Sequence, residues 1–496
     1  PSMREKLLDA QDQADSFSPD ELLAAKARPN WRLNLASLVC VIASFQLGYN
    51  VSVVNTPKKN IQRYFGEDKV NNTIFSIIVG AFVLAGVFGA HFGGFLAERV
   101  GRKKAMLFMN IPIFLGGLLE VFAMDVAMLV VGRFLCGFAA GAFTVIAPLF
   151  LAESAPLAYR GSYGAVNQVA VTFGILMSLL LGLAFVNTSK DPPKSDIQGW
   201  RYMFGLASVL SAVQVIAILL GAMPETPQWL VRHGRGNKAE VSLRNLRAAS
   251  MADVVLQDEL STMNSDATQG KKDIAWGALL HTPLRQCMMV GIVCQFAQQW
   301  SGVPFVLQFS TSVFEKGFCT GGETCSAAVG ASVGVGVITF FSAIVSVVTV
   351  ERLGRRLLLL AGTAGMALAL TWLLVSATRD GKGASYSSAA AVWFFTLCFG
   401  LSSGPVAWLI VGEVLPPEAK GKGAGILVSF NWIANFVVTV SFLPLDKAIN
   451  HWVYLIFIVI LVGCYLFTLF RIPETSGRPI EEVLRLVQSR VWPNPA

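Results

Sequence analysis

Residues 75–97 read FSIIVGAFVLAGVFGAHFGGFLA and run straight into Glu98-Arg-Val-Gly-Arg-Lys103. A helix needs about 20 mostly apolar residues to cross about 30 Å of hydrocarbon. No water serves backbone groups at that depth, so an apolar run of this length reads as a helix, and the charges behind it mark where it emerges. The same pairing returns later, where the apolar run 326–350 ends in Glu351-Arg-Leu-Gly-Arg-Arg356. Two copies of one helix-and-charge unit predict a duplicated structure embedded in a membrane.

Working outward, twelve apolar runs appear, at 33–54, 75–97, 105–123, 126–150, 163–186, 202–222, 286–314, 326–350, 357–377, 388–415, 424–446 and 452–471. Only 14% of the 496 residues are charged while 54% are hydrophobic, and mean hydropathy is +0.58. Soluble domains carry roughly 25% charge, so a water-facing surface is excluded. The predicted fold class is an all-α membrane protein of twelve transmembrane helices in two six-helix bundles. The expected divisions are an N-terminal segment 1–32, a first bundle 33–222, a linker 223–285, a second bundle 286–471 and a C-terminal segment 472–496. The linker is polar and basic, and the spacing of Leu243 and Leu246 predicts short amphipathic helices on the cytoplasmic face.

Charge gives the orientation. Of 39 Lys and Arg, 27 fall in the termini and in the loops that share their side, and 11 in the opposite loops. By the positive-inside rule both termini and the linker are expected in the cytoplasm, with the plasma membrane as the expected location. The net charge of +8 is then a topology signal and an attraction to lipid headgroups, needing no nucleic-acid partner. Residues 1–30 lack the apolar core of a signal peptide, so the first span is expected to direct insertion. Cys319 and Cys325 fall in an outside loop and are expected to form a disulfide, the alternative being two free thiols. Asn71 and Asn187 open Asn-X-Thr/Ser sequons, also outside, and are expected glycosylation sites.

Three motifs repeat in order at nearly one offset. Glu98 and Glu351 are 253 apart, Glu153 and Glu413 are 260 apart, and Pro224-Glu225-Thr and Pro473-Glu474-Thr are 249 apart. Repeats of this kind are typical of secondary transporters, which hold substrate near the midplane between halves. The repeated charges read as a cytoplasmic gate. Each Glu would meet Arg or Lys from a loop of the neighbouring bundle half: Arg99, Arg102, Glu153, Arg160 and Glu225 in one set, Glu351, Arg355, Arg356, Glu413, Lys420 and Glu474 in the other. Exposed pairs are worth about 0–1 kcal/mol each, which suits contacts that form and break.

Inside the spans, ionisable groups are scarce: Arg133, Glu120 and His91. Arg133 needs a partner or water at that depth, or a position near enough the surface to snorkel. Amides are plentiful instead: Gln46, Asn50, Asn55, Asn167, Gln168, Gln295, Gln298, Gln299, Asn431 and Asn435. A buried unpaired amide costs about 1–3 kcal/mol, so their clustering points to a wet cavity suited to a neutral polyol, with Trp300, Trp408 and Trp432 nearby for its C–H face. Each amide alone would better suit interhelical packing; the clustering is what points to a cavity. Gly302, Gly400 and Gly404 with Pro304 and Pro405 predict bends in spans 7 and 10. No phosphate-binding loop or metal-ligand spacing is present. The chain is therefore expected to be a carrier rather than an enzyme, without cofactor, metal or deducible protein partner, its partners being the solute and membrane lipid.

Taken together, Glu98–Lys104, Gly132-Arg-Phe, Glu153-Ser-Ala-Pro with Arg160-Gly, Pro224-Glu-Thr-Pro, Gln298-Gln-Trp-Ser-Gly, Glu351–Arg356, Trp408 with Gly412-Glu, Asn431-Trp with Asn435-Phe, and Pro473-Glu-Thr resemble the sugar porters of the major facilitator superfamily. Phe45-Gln-Leu-Gly-Tyr-Asn-Val and Asn55-Thr-Pro resemble the animal facilitative hexose transporters, especially the fructose-carrying branch. The resemblance implies sugar contacts from Gln168, Gln298, Gln299, Trp408, Asn431 and Asn435, with Asn55 and Thr339 as further candidates. It also implies uniport, because Asn50 stands where proton-coupled relatives carry an Asp; Asn50 and Arg133 mark the coupling position. Departures leave the hexose open. Pro304 replaces an Asn, Thr339 a second sugar-binding Asn, Gly400 a Glu and Gln228 an Arg. The expected activity is facilitative transport of fructose or glucose. The alternatives are a proton symporter titrating Glu120 or His91, and a carrier of an organic solute such as urate.

Overall fold

A computed structural model of the chain describes residues 29–491, apart from 157–158, 190–192, 194, 248–252, 270–275, 283, 320–323, 380, 477 and 479. The N-terminal segment called from sequence lies almost wholly outside these residues. What is described is helical throughout.

Twelve spans follow in order. The first half holds Trp31–Ser52, Asn72–Val100, Arg102–Val121, Val126–Ser154, Arg160–Phe185 and Gly199–Leu219. The second holds a seventh span in two pieces, 7a (Leu284–Trp300) and 7b (Val303–Phe318), then Ser326–Leu353 and Arg355–Ala377. A tenth follows, also in two pieces, Lys382–Leu401 and Ser403–Val414, and then Pro417–Ile449 and Val453–Arg471. Span 7 breaks where Gly302 takes φ +100°, a left-handed conformation that glycine adopts without strain. Span 10 breaks at Ser402, between the two glycines singled out above.

Close helix approach sets the packing. A Cβ at Gly137 would lie 2.0 Å from the Phe82 carbonyl oxygen, and one at Gly89 1.9 Å from that of Phe138. Spans 2 and 4 thus meet backbone to backbone, the usual solution where lipid gives helices no hydrophobic reason to associate. The linker forms three helices, Pro227–Arg232, Gly236–Leu246 and Asp253–Gln269, around a small apolar core that includes Trp229, Leu243 and Leu260. Arg247 ties it to the first half: buried, it pairs with Glu259 and donates to the Ser154 carbonyl at 2.8 Å. A last helix, Ile480–Val491, packs under the second half through Val483 and Val487.

The halves touch along spans 2 and 11, where Trp432 packs on Gly86 and Phe82, and along spans 5 and 8, where Phe173 meets Phe340. They close at the end away from the linker. The linker end is open: Arg160 and Ser162 are exposed, and a Cβ at Gly161, Gly164 or Gly425 would meet nothing within 4 Å.

Candidate solute-binding site and gates

Span 7a ends in the amides expected from sequence, and the structure gathers them around Asn431. Asn431 donates to Gln295 Oε1 at 2.6 Å and Gln298 Oε1 at 2.7 Å, and accepts from Gln299 Nε2 at 2.9 Å. Gln298 reaches the Ser403 and Gly404 carbonyls at 3.2 and 2.8 Å, beside the break in span 10. Gln295 donates to the Ala407 carbonyl at 3.1 Å. Four amides on two helices thus meet the backbone carbonyls of a third. Next along span 11, Asn435 accepts from Gln308 at 3.3 Å and from Thr439 at 2.9 Å. The sequence reading had passed over Gln308, although an amide in an otherwise apolar span was signal enough.

The remaining expected contacts are placed differently. Gln168 is half-buried, and its side chain has no hydrogen-bond partner among the described residues. Trp408 is 37% exposed near the open end. Thr339 is buried, and its hydroxyl serves only the Val335 carbonyl of its own helix. Trp432 lies in the span 2–11 seam rather than beside the amides.

Arg133 is fully buried. It does not snorkel; it donates to the Asn50 carbonyl at 2.9 Å, lies over the Phe82 ring and stands 3.8 Å from Glu120. The Asn50 side chain turns back to the Gln46 carbonyl at 2.9 Å. His91 bonds Ser429 across the seam at 3.0 Å.

At the linker end the charge lattice differs from the expected one in a definite way: among the described residues, the ion pairs of Glu153 and Glu413 and the caps of Glu225 and Glu474 each close within one half. Glu153 takes Arg102 on one oxygen and the Thr226 hydroxyl on the other, both at 2.7 Å. Glu225 caps span 3, accepting the Arg102 backbone N–H at 2.8 Å and that of Lys103 at 3.3 Å. The second half repeats this: Glu413 holds Arg355 at 2.9 Å and Thr475 at 2.6 Å, and Glu474 accepts the N–H groups of Arg355 and Arg356. Glu98 and Glu351 add i,i+4 pairs to the same arginines. Gly101 at φ +97° and Gly354 at φ +80° make the turns that bring each cap in.

The other cations stay out of the lattice. Arg99 lies over Phe95, Arg160 is exposed and away from Glu153, and Arg356 reaches the Leu469 carbonyl at 2.7 Å. The Lys420 side chain lies outside the described residues. Among the described residues, the side chains that pair with Glu153 and Glu413 are those of Arg102 and Arg355, the first residues of spans 3 and 9. Arg102 and Glu153 are 1% and 4% exposed, so this pair is a buried one and not the weak surface contact expected from sequence. The two caps also differ electrostatically. At Glu225 burial outweighs its backbone donors and raises the carboxyl above its ordinary value. At Glu474 burial also raises it, but four backbone N–H donors outweigh that and leave it lowered.

At the far end Asn55 spans the halves. Its amide donates to the Leu307 carbonyl at 3.0 Å and Ser310 Oγ at 2.8 Å, and its oxygen accepts from the Thr311 N–H at 3.0 Å. Ser52 also donates to Leu307, and Lys58 to Ser312 at 3.3 Å. Asn55 is therefore a closure residue between span 1 and span 7b. The same end carries the Cys319–Cys325 disulfide. Asn71 is exposed and caps span 2 through its oxygen, leaving its nitrogen free, whereas Asn187 is half-buried.

Two interlocked six-helix halves, amides beside broken helices and closure at one end only define a membrane transporter of the major facilitator fold. A family model described as "Sugar (and other) transporter" matches residues 36–486, and the chain belongs to that family. Among curated relatives it is similar to "Solute carrier family 2, facilitated glucose transporter member 1" of Gallus gallus, 32% identical over 91% of this chain and 92% of that one. It is also similar to "Glucose transporter GlcP" of Staphylococcus epidermidis, 31% identical over 84% and 89%. Among solved structures, the xylose transporter XylE from E. coli in a partially occluded inward open conformation shares the fold, with a TM-score of 0.77 at 22% identity over 91% of this chain and 100% of that one.

Proposed function

We propose that the chain is a facilitative carrier of a hexose, fructose or glucose, working by alternating access in the plasma membrane with its linker and termini cytoplasmic. The observation that carries this reading is the amide set of spans 7 and 11: neutral donors and acceptors in pairs, with no carboxylate or cation among them, suit hydroxyls better than a charged solute. Half-buried Gln168, its side chain unpaired, adds a free group. Curated relatives bear the names of glucose transporters. Asn50, an amide folded back on its own helix, supports uniport. In this reading Asn55 opens and closes the outer side while the charge lattices hold each half rigid, and Asn71 and Asn187 face outward as glycan acceptors.

The test is counterflow in proteoliposomes loaded with unlabelled fructose, glucose or urate, with trace label outside and equal pH on both sides. Transient uptake with a hexose, abolished in Gln168→Ala, is expected. Uptake with urate alone would overturn the substrate class.

A second reading, proton-linked transport, rests on Glu120. Both its oxygens are buried without a hydrogen-bond partner among the described residues, 3.8 Å from Arg133. A buried carboxylate inside a span, beside one arginine, is the kind of group that proton-linked carriers use. Hexose accumulation against a gradient that collapses with a protonophore would favour this reading over uniport.

A further inference from the structure

The outer closure contains one group that it accommodates poorly. Lys58 opens the short helix Lys58–Phe65 just after span 1 and is only 6% exposed. An ammonium carries three donors. Here it makes one long hydrogen bond, 3.3 Å to Ser312 Oγ on span 7b, and lies 5.8 Å from the centre of the Phe75 ring. Among the described residues no carboxylate is within ion-pair distance of it. Glu315, one turn further along span 7b, accepts from the Thr324 hydroxyl and attracts the ammonium from beyond ion-pair distance, an attraction smaller than the cost of its burial. Thr324 lies inside the loop that the Cys319–Cys325 disulfide closes. Asp446 of span 11 is taken by Lys316, at 2.6 Å. The other charges facing Lys58 are cations, Lys59 on its own helix and Lys316 on span 7b.

Ser312 belongs to the second half and Lys58 to the first, so separating span 7b from span 1 would return the ammonium to water. Taking a charge out of water without full compensation is unfavourable.

We propose that Lys58 is the opening spring of the outer gate: closure strands its ammonium, and that cost drives span 7b away from span 1. The proposal rests on the alternating-access reading above. It makes Lys58 a positioning residue, acting on the balance between gate states and not on the solute. Asn55 and Ser52 hold the gate shut; Lys58 opposes them, so that neither state traps the carrier.

The sign of the pH dependence follows. Burial pushes the Lys58 ammonium from 10.5 down to about 8 in the closed gate. In the open gate it is solvated and keeps its ordinary value. Below pH 8 lysine is charged in both states and the closed gate bears the full cost. As pH rises from 8 toward 10.5 the closed gate sheds its proton and the cost is relieved. Linkage makes this roughly a tenfold shift toward the closed gate between pH 7 and pH 9.

The experiment places spin labels on the full-length carrier in proteoliposomes, at Glu67→Cys and Lys382→Cys, two exposed sites at the far ends of opposite halves. The distance distribution reports open and closed gates without needing transport. The open-to-closed ratio of the wild-type background is expected to fall about tenfold from pH 7 to pH 9. Lys58→Met is expected to be closed and insensitive to pH, and Lys58→Arg, which keeps its charge, open at both pH values. The influx-to-efflux KM ratio for the transported hexose is expected to rise in Lys58→Met and to stay at the wild-type value in Lys58→Arg at pH 7. A wild-type pH profile retained in Lys58→Met, or more open population in that variant, overturns the proposal. A gate that responds as described in a protein that moves no hexose would leave Lys58 in its role and overturn the substrate reading instead.

Discussion

Replacing Asn431 with alanine separates a solute site from packing glue. Asn431 makes three side-chain hydrogen bonds, at 2.6, 2.7 and 2.9 Å, to three glutamines. At about 1 kcal/mol net for each, the loss is about 3 kcal/mol. Part of it is recoverable. Gln298 keeps its bonds to Ser403 and Gly404, and Gln299 already stands 3.4 Å from Gln298 and can turn fully to it. About 2 kcal/mol then remains, close to a 30-fold change in an equilibrium constant. If the four amides face the solute, the disordered glutamines no longer match its hydroxyls, and that 30-fold appears in the KM for hexose counterflow. The assay is counterflow over a range of hexose concentrations, beside the thermal unfolding midpoint of the same purified protein. A lowered midpoint with KM within twofold of wild type would refute the reasoning and make the amides interhelical glue.

The linker-end lattices give three further expectations. Glu153→Gln strands the buried Arg102 guanidinium and should cost about 3–5 kcal/mol of stability, whereas Glu413→Gln, at a carboxylate 25% exposed, should cost about 1 kcal/mol; thermal unfolding in detergent compares them. Gly101→Ala and Gly354→Ala would each force a Cβ into a left-handed turn, 2.1 Å from Glu225 Oε2 and 2.6 Å from Glu474 Oε2, and should each lower the unfolding midpoint by the equivalent of about 1–3 kcal/mol. The caps should respond oppositely to acid. Glu474, lowered, contributes stability above 4.5 that is lost as pH falls through its folded value; Glu225, raised, carries a cost that acid relieves. Unfolding midpoints from pH 7 to pH 4 should therefore fall less steeply in Glu474→Gln than in wild type, and more steeply in Glu225→Gln.

The twelve spans were legible because hydrocarbon imposes length and helicity on the chain directly, and the duplication was legible because its motifs recur at nearly one offset. Which cation each motif uses was not. Glu98–Lys104 offers four basic residues for Glu153, and only the one at the start of span 3 has a buried path to it; that path is a property of how spans 3 and 4 pack. The closure of each lattice within its own half escaped for the same reason. The amides of span 7a stood out as a run, whereas Gln308 stood alone past Gly302 and went unread. Lys58 is not legible as a buried group in the sequence because its burial comes from span 7b, some 250 residues away.

Span 7b is also a lever. Its fulcrum is Gly302, three residues past Gln299, and its arm of 16 residues is about 24 Å long at 1.5 Å per residue. Leu307, Ser310 and Thr311 lie about 7 to 14 Å along it. A swing of roughly 10° at the fulcrum would carry them about 1 to 2 Å, enough to break bonds of 2.8 to 3.0 Å to Asn55. Rotation of one glycine's backbone would therefore release the bonds that Asn55 makes, and the amides sit on the short side of the fulcrum. Small displacements imposed there would arrive multiplied at the far end of span 7b.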